Sequence, residues 1–306
     1  MPLFENHVGI SVSINKIRLV ELVYTENEFF LENIDEENFE EDLLPNFIAK
    51  NFFNVLHKSF QQILSRISIS SKNVSFSLDP EFFQIFHVPF DTTLLKRDLI
   101  DHLKWELSKI KPSLNSGNYI LQNIELKKVD ESGYNQTAVL ALHRNYFNSL
   151  IEFCKENKLD LKFVDYSHTA SNNLLRFIKA IKGLSGLSVF KSSHDYSFMI
   201  LDDFIPTSLI KKESVQHDTY LADVKTKINE LVGHRSGLSG FLFSFITGST
   251  IKKADIDSLN KMFDLNFKIL DPFAVIKTSE TFSSSINIQE NTNEFTSAVG
   301  VALRLF

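Results

Sequence analysis

Residues Gly9–Leu22 read GISVSINKIRLVEL. Two apolar runs are joined by a short polar turn, the pattern of a β-hairpin. Residues 7–14, 16–24 and 28–34 together read as three successive strands, β-branched or aromatic and separated by short polar turns. The acidic stretch DEENFEED (35–42) reads as a solvated loop. A helix is expected near 47–67, where Phe52, Leu56, Phe60, Ile63, Leu64 and Ile67 recur at three- and four-residue spacing. Three strands and then a helix is therefore the opening unit.

Working outward, NVSFSL (73–78) is a strand that the turn signal Asp79-Pro80 ends. A strand follows over 82–90. Then comes an amphipathic helix, about 93–110, with Asp91, Thr92 or Thr93 as cap, a face of Leu95, Leu99, Leu103, Leu107 and Ile110, and Pro112 as its stop. With strands 119–128 and 136–143 it forms an inserted small α/β unit, 88–144. A helix over Asn145–Asn157, the strand LDLKFVDY (159–166) and a helix over about 169–182 lead to KGLSG (182–186), a hinge signal. The strand pattern then restarts at 186–191, 196–202 and 205–211, followed by a helix over 218–233. The buried strand FLFSFI (241–246), a helix over 253–264, a strand over 266–270 and a last helix from about 293 complete the chain. The three-strands-then-helix order thus occurs twice, near 7–67 and near 186–233.

The 306 residues carry 32 Lys and Arg against 38 Asp and Glu, a formal charge of −6. That balance argues against nucleic acid as the main partner, because phosphate binding needs a basic stripe. No apolar run reaches the length of a membrane span, and the N-terminus lacks the basic and apolar regions of a signal peptide. The reading is a cytoplasmic protein that meets a membrane only through a partner. The single cysteine, Cys154, lies on the apolar face of a helix and reads as a buried structural thiol. The nine histidines form no metal-binding pair. Asp202-Asp203 reads as a hairpin turn rather than an acid pair, since adjacent strand residues point to opposite faces.

Several stretches, in order, resemble the PilM-type proteins of type IV pilus assembly. GISVSINKIRLVEL is similar to their opening phosphate hairpin. LIDHLKWELSKIKPSLNSGNYILQNIEL (99–126), with its Trp105-Glu106 pair, resembles their inserted subdomain. LALHRNYFNSLIEFCKENKLDLKFVD (140–165) resembles the strand–helix–strand that returns from it. FITGSTIKKADIDSLNKMFDLNFKILDPF (245–273) resembles the adenosine-side loop and its continuation, and SAVGVALR (297–304) the final helix. The resemblance implies an actin-like (RNase H-like) duplicated α/β fold: 1–87, 145–182 and 293–306 form the first subdomain, 88–144 the inserted one, and 183–292 the second domain.

Such a site cradles phosphates with two hairpin loops, each needing a glycine for close backbone approach and an aspartate to order metal-bound water. Here the first loop has Ser11 and Ser13 at those positions, and the second, LSVFKSSHDYSFMI (187–200), has Phe190 and Ser192. A phenylalanine offers no oxygen ligand. Thr247-Gly248 keeps half of the adenosine loop; Ser249 and Thr250 replace its last two glycines. Four altered positions imply a pseudo-ATPase with no catalytic or metal-binding residues, although Lys16, Lys191 and the hydroxyls of Ser11 and Ser13 remain able to meet phosphate; ATP with magnesium is the disfavoured cofactor. The resemblance further implies a scaffold at the inner face of the inner membrane, binding the cytoplasmic tail of a PilN-like protein. Its groove is expected beside FQIFHVPF (83–90) and helix 93–110, with Phe83, Ile85, Phe86 and Trp105 as candidate contacts. The alternatives are an active or nucleotide-switched actin-like ATPase, and a self-associating, membrane-tethered filament former.

Overall fold

The computed structural model describes residues 6–25, 28–43, 49–91, 93–127, 135–213, 225–226, 228–230, 240–249, 251–284 and 291–305. The opening hairpin is β1 (His7–Val12) and β2 (Lys16–Thr25), in antiparallel register with Ser11 opposite Arg18. All six residues of β1 are buried, because α1 (Ala49–Arg66) and α6 (Thr296–Ala302) cover the sheet. Gly9 marks the closest approach: a Cβ there would lie 2.0 Å from the carbonyl oxygen of Ala298 on α6.

Three further strands belong to this sheet, β3 (Glu28–Asn38), β4 (Asn73–Leu78) and β8 (Asp160–Tyr166). With β14 (Lys277–Ser284) the order is β14-β3-β2-β1-β4-β8. A second sheet runs β11-β10-β9-β12-β13, built from β9 (Ser185–Lys191), β10 (Asp195–Asp202), β11 (Ile205–Glu213), β12 (Phe243–Gly248) and β13 (Lys268–Ile269). In each, the first three strands are antiparallel neighbours, and the first strand pairs parallel with a fourth and that with a fifth. The order is thus the same twice, as the doubled strand pattern predicts.

Between β4 and α3 (Arg144–Glu156) lies a three-stranded sheet, β5-β7-β6, of β5 (Phe83–Pro89), β6 (Tyr119–Leu126) and β7 (Gln136–His143), backed by α2 (Lys96–Ile110). Its small core joins Val88, Leu103, Leu107, Leu121, Val139 and Ala141. The fold is a duplicated α/β architecture with an inserted α/β unit.

Several boundaries differ from expectation. The acidic stretch 35–42 is not all loop: β3 runs through Asn38, because cations reach its carboxylates from neighbouring elements. Arg66 on α1 donates to Asp35 at 2.8 Å and Glu37 at 2.7 Å, and Lys16 pairs with Glu36 at 2.7 Å. Helix α2 starts at Lys96 with no side-chain cap; Asp91 instead accepts from the backbone N–H and hydroxyl of Thr93. Leu95 and Ile110 lie more than half exposed, so the buried face narrows to Leu99, Leu103 and Leu107. The helix expected over 169–182 stops early: α4 spans Ser167–Asn172 and short 3-10 turns follow at Asn173–Phe177 and Lys179–Ile181. Two asparagines, weak helix formers, stand at the break, and Asn173 donates instead to the carbonyl of Gly300. Strand β14 pairs parallel with β3, so the stretch assigned to the second domain returns a strand to the first sheet, and β5 from Phe83 onward belongs to the inserted sheet. The Asp202-Asp203 turn is present, with Asp203 and Phe204 both left-handed at φ 49° and 65°. The helix over 218–233 and the segment 233–240 fall mainly outside the described residues.

Candidate functional site

The two hairpin tips, β1–β2 and β9–β10, and the end of β12 hold the residues singled out as vestigial nucleotide positions. In the first tip Ser13 is folded onto its own turn: its hydroxyl donates to Asn15 at 3.0 Å and to the carbonyl of Lys16 at 3.1 Å. Lys16 Nζ sits 2.7 Å from Glu36 and 3.9 Å from Glu294. One step deeper, Arg18 lies 3.2 Å from Glu36 and also pairs with Glu294. Two cations and two carboxylates thus form one compact, partly buried cluster.

The second tip is closed in the same way. Ser192 exchanges hydrogen bonds with the backbone of Asp195, at 2.9 and 3.1 Å. Lys191 pairs with Asp255 on α5 (Lys253–Phe263) at 2.7 Å, and Lys191 and the N–H of Lys252 hold that carboxyl below its usual range against the cost of burial. Phe190 is buried, its ring 6.0 Å from that of His168. His168 bridges the two halves of the molecule, its Nδ1 2.8 Å from Ser197 and its Nε2 3.0 Å from Ser188. Burial depresses its pKa to about 3, so the ring is neutral.

At the end of β12, Thr247 donates to the carbonyl of Asn293, and Asn293 returns a bond to the carbonyl of Gly248 at 2.8 Å. Gly248 has φ 112°, and a Cβ there would stand 2.0 Å from the carbonyl oxygen of Lys191. The need for glycine at 248 is therefore met by contact between neighbouring strands. Thr250 lies outside the described residues.

Sequence reading missed the acid beneath the hairpins. Asp79, taken as a turn residue, is buried at the end of β4 and accepts from Ser167 at 2.9 Å. Burial, with Glu81 adding repulsion, raises its carboxyl to about 8. The hydroxyls of Ser11 and Ser77 and one oxygen of Asp79 are buried without a hydrogen-bond partner. Ser11 and Ser77 are register partners on adjacent strands. The forewarning lay in β2, where Arg18 and Glu21 stand among apolar residues and, once buried, need polar partners. Nothing local points to Glu294, which reaches it from 276 positions away. Among the described residues no group of three or more His, Cys, Asp or Glu side chains is placed to hold a metal.

The four residues expected to form a partner groove do not converge. Phe83 and Ile85 face the main core, where Phe83 meets Tyr166 edge-on at 5.3 Å; Phe86, one step on, packs toward the inserted unit's own core. Alternation along a strand sends them to opposite faces. Trp105 is 54% exposed on the outer side of α2, with Lys109 Nζ 2.9 Å above its ring. A groove lies elsewhere, beside β6. A cavity of about 800 Å3 opens there, lined among others by Gln122, Ile124, Asp165, Arg176, Phe177 and Arg304. Both β6 and β8 are edge strands of their sheets, and Gln122 bridges toward β8 by donating to the carbonyl of Val164 at 2.7 Å.

The doubled strand order and the interposed α/β unit define an actin-like ATPase fold. Solved structures agree. A chain of a PilM–PilN type IV pilus biogenesis complex superposes with a TM-score of 0.67 at 16% identity, over 97% of this chain and 98% of that one. A Bacteroides thetaiotaomicron protein of actin-like ATPase fold and unknown function gives 0.51 at 12% identity, over 89% and 93%. The cytoplasmic domain of EpsL, an inner membrane component of the type II secretion system of Vibrio cholerae, gives 0.50 at 10%, over 98% and 95%. No protein-family model and no curated protein matches the chain by sequence.

Proposed function

We propose that this chain is a non-catalytic actin-like scaffold of a type IV pilus or related secretion platform at the inner membrane, binding the cytoplasmic tail of a PilN-like membrane protein. The observation that carries the reading is the internal engagement of the hairpin tips. Lys16, Arg18 and Lys191 each pair with carboxylates of this chain, and Ser13 and Ser192 bond their own turns. A nucleotide would have to displace these pairs and approach Glu36, Glu294 and Asp255. Like charge at such distances costs several kcal/mol where the site is partly buried. A second reading, a nucleotide-switched ATPase, draws on the unpartnered oxygens of Ser11, Ser77 and Asp79 beneath the same tips.

The cavity beside β6 supports the partner reading. An extended strand occupies about 160 Å3 per residue, from its rise, strand spacing and sheet thickness. The space of about 800 Å3 therefore admits about five residues of an extended tail. Flanking strand edges offer main-chain recognition of the kind used in β-augmentation. The test is calorimetric titration with ATP and magnesium, and separately with a synthetic peptide of the membrane partner's tail. No heat is expected at about millimolar nucleotide, and saturable peptide binding is expected to weaken about tenfold or more in Gln122→Trp, which fills the groove. Micromolar nucleotide binding would overturn the non-catalytic reading. Peptide binding indifferent to Gln122→Trp would remove the groove from it.

A further inference from the structure

The segment Ser167–Gly183 contains three basic residues and no Asp or Glu, within a chain of net charge −6. Its cations, Arg176, Lys179 and Lys182, stand three residues apart across the two 3-10 turns that follow α4. The turns are separated at Ile178 (φ −91°, ψ 89°), so the ridge is defined by which side chains stay outside the core. The burial pattern agrees: Leu175 and Ile181 are buried and Ile178 packs on the core, while Arg176, Lys179 and Lys182 are all exposed. None of the three cations makes an ion pair with a described residue, in contrast to the paired Lys16, Arg18, Lys127, Lys191 and Lys211 of the adjoining surfaces. Asp203 approaches the far end of the ridge, but its carboxylate is turned to the N–H of Gly183 at 2.7 Å.

Beside the cations stands Phe177, 37% exposed, its ring edge-on to Phe29 at 5.9 Å. An exposed aromatic flanked by unpaired cations matches the chemistry of an anionic lipid surface: the ring enters the headgroup boundary and the long basic side chains meet phosphate and carboxylate groups. Arg176 and Phe177 also line the groove beside β6.

We infer that the Arg176–Lys182 ridge is a docking surface for an anionic membrane leaflet, holding the rim of the groove against the bilayer from which a membrane protein's tail emerges. The direction of the groove rests on the function proposed above; the lipid contact itself does not.

Sedimentation of the full chain with lipid vesicles tests it, with no partner peptide present. Each cation near an anionic leaflet contributes about fivefold in partitioning, so the three together contribute about 100-fold. Binding is expected to vesicles containing about one third phosphatidylserine and not to pure phosphatidylcholine, and to fall steeply between about 0.05 and 0.5 M salt. The triple variant Arg176→Glu, Lys179→Glu, Lys182→Glu, with unchanged circular dichroism and melting temperature, should lose it. Because all three side chains are exposed, the variant keeps the core intact. Equal partitioning to both vesicle types, no binding to either, or binding that survives the triple variant would each overturn the inference. Binding to acidic proteins with none to phosphatidylserine vesicles would assign the ridge to a protein partner and overturn it equally. The peptide titration above is a separate measurement, so either result can fail alone.

Discussion

Asp79 makes a sharp prediction about pH. It is 3% exposed, and burial rather than any neighbour is the main reason its carboxyl titrates near 8 in the folded chain. In the unfolded chain it titrates near the ordinary value of about 4. Below about pH 4 both states hold the proton, and the group is silent. Between about 4 and 8 the folded state holds a proton that the unfolded state has lost, so this group's contribution to stability falls as pH rises. The slope is about 1.4 kcal/mol per pH unit, or about 2.7 kcal/mol between pH 5 and 7, and it depends only on the two states differing by one proton across that window. The perturbation is Asp79→Asn, which keeps an acceptor for the Ser167 hydroxyl and cannot ionise. Urea unfolding of wild type and variant at four or so pH values isolates the term, since all other groups cancel in the difference. The variant should gain on wild type by about 1.4 kcal/mol per unit from pH 5 to 7 and level off above about 8. Parallel curves would show that Asp79 ionises normally and that the seam between the halves is wetter than its burial indicates.

The remaining expectations concern His168, Gly248 and Gly183. His168, buried and depressed to about 3, works in the opposite sense: between about pH 3 and 6.5 the unfolded chain binds a proton that the folded chain refuses, so stability falls as pH drops. His168→Gln should be less stable at neutral pH, through lost bonds to Ser188 and Ser197, yet flatten the acid limb by about 1.4 kcal/mol per unit in the same unfolding assay. Gly248→Ala places a methyl group 2.0 Å from the Lys191 carbonyl at φ 112°, and should cost roughly 3 kcal/mol in thermal unfolding. Gly183→Ala, at φ 74° with nothing within 4 Å of the new Cβ, should cost only about 1 kcal/mol.

What was legible in the residues follows from local physics. Alternating apolar runs placed the hairpin 7–24, heptad-like spacing placed α1 and α2, and the same strand order recurring after Gly183 announced the duplicated sheet. Cys154 on its apolar stripe is buried, and burial pushes its thiol up to about 12. Signals of this kind need only a residue and its near neighbours in the chain. Where they failed, distant partners decided. The acidic stretch after Ile34 looked solvated because Arg66 and Lys16, which neutralise it, lie elsewhere in sequence. Strand β14, polar throughout its middle, gave no strand signal and exists because β3 offers it an edge.

The sequence by itself determined the doubled strand order of this chain, and its resemblance to a known family raised the expectation that Ser11, Ser13, Phe190 and Ser192 replace phosphate-loop residues. Only the tertiary structure decided which groups those tips engage. Whether Lys16 and Lys191 are free to meet an anion depends on Glu36, Glu294 and Asp255, and whether Phe83 and Trp105 share a groove depends on which faces of β5 and α2 the core takes. Charge pairing and burial are properties of distances through space, and a chain sets those only when it folds.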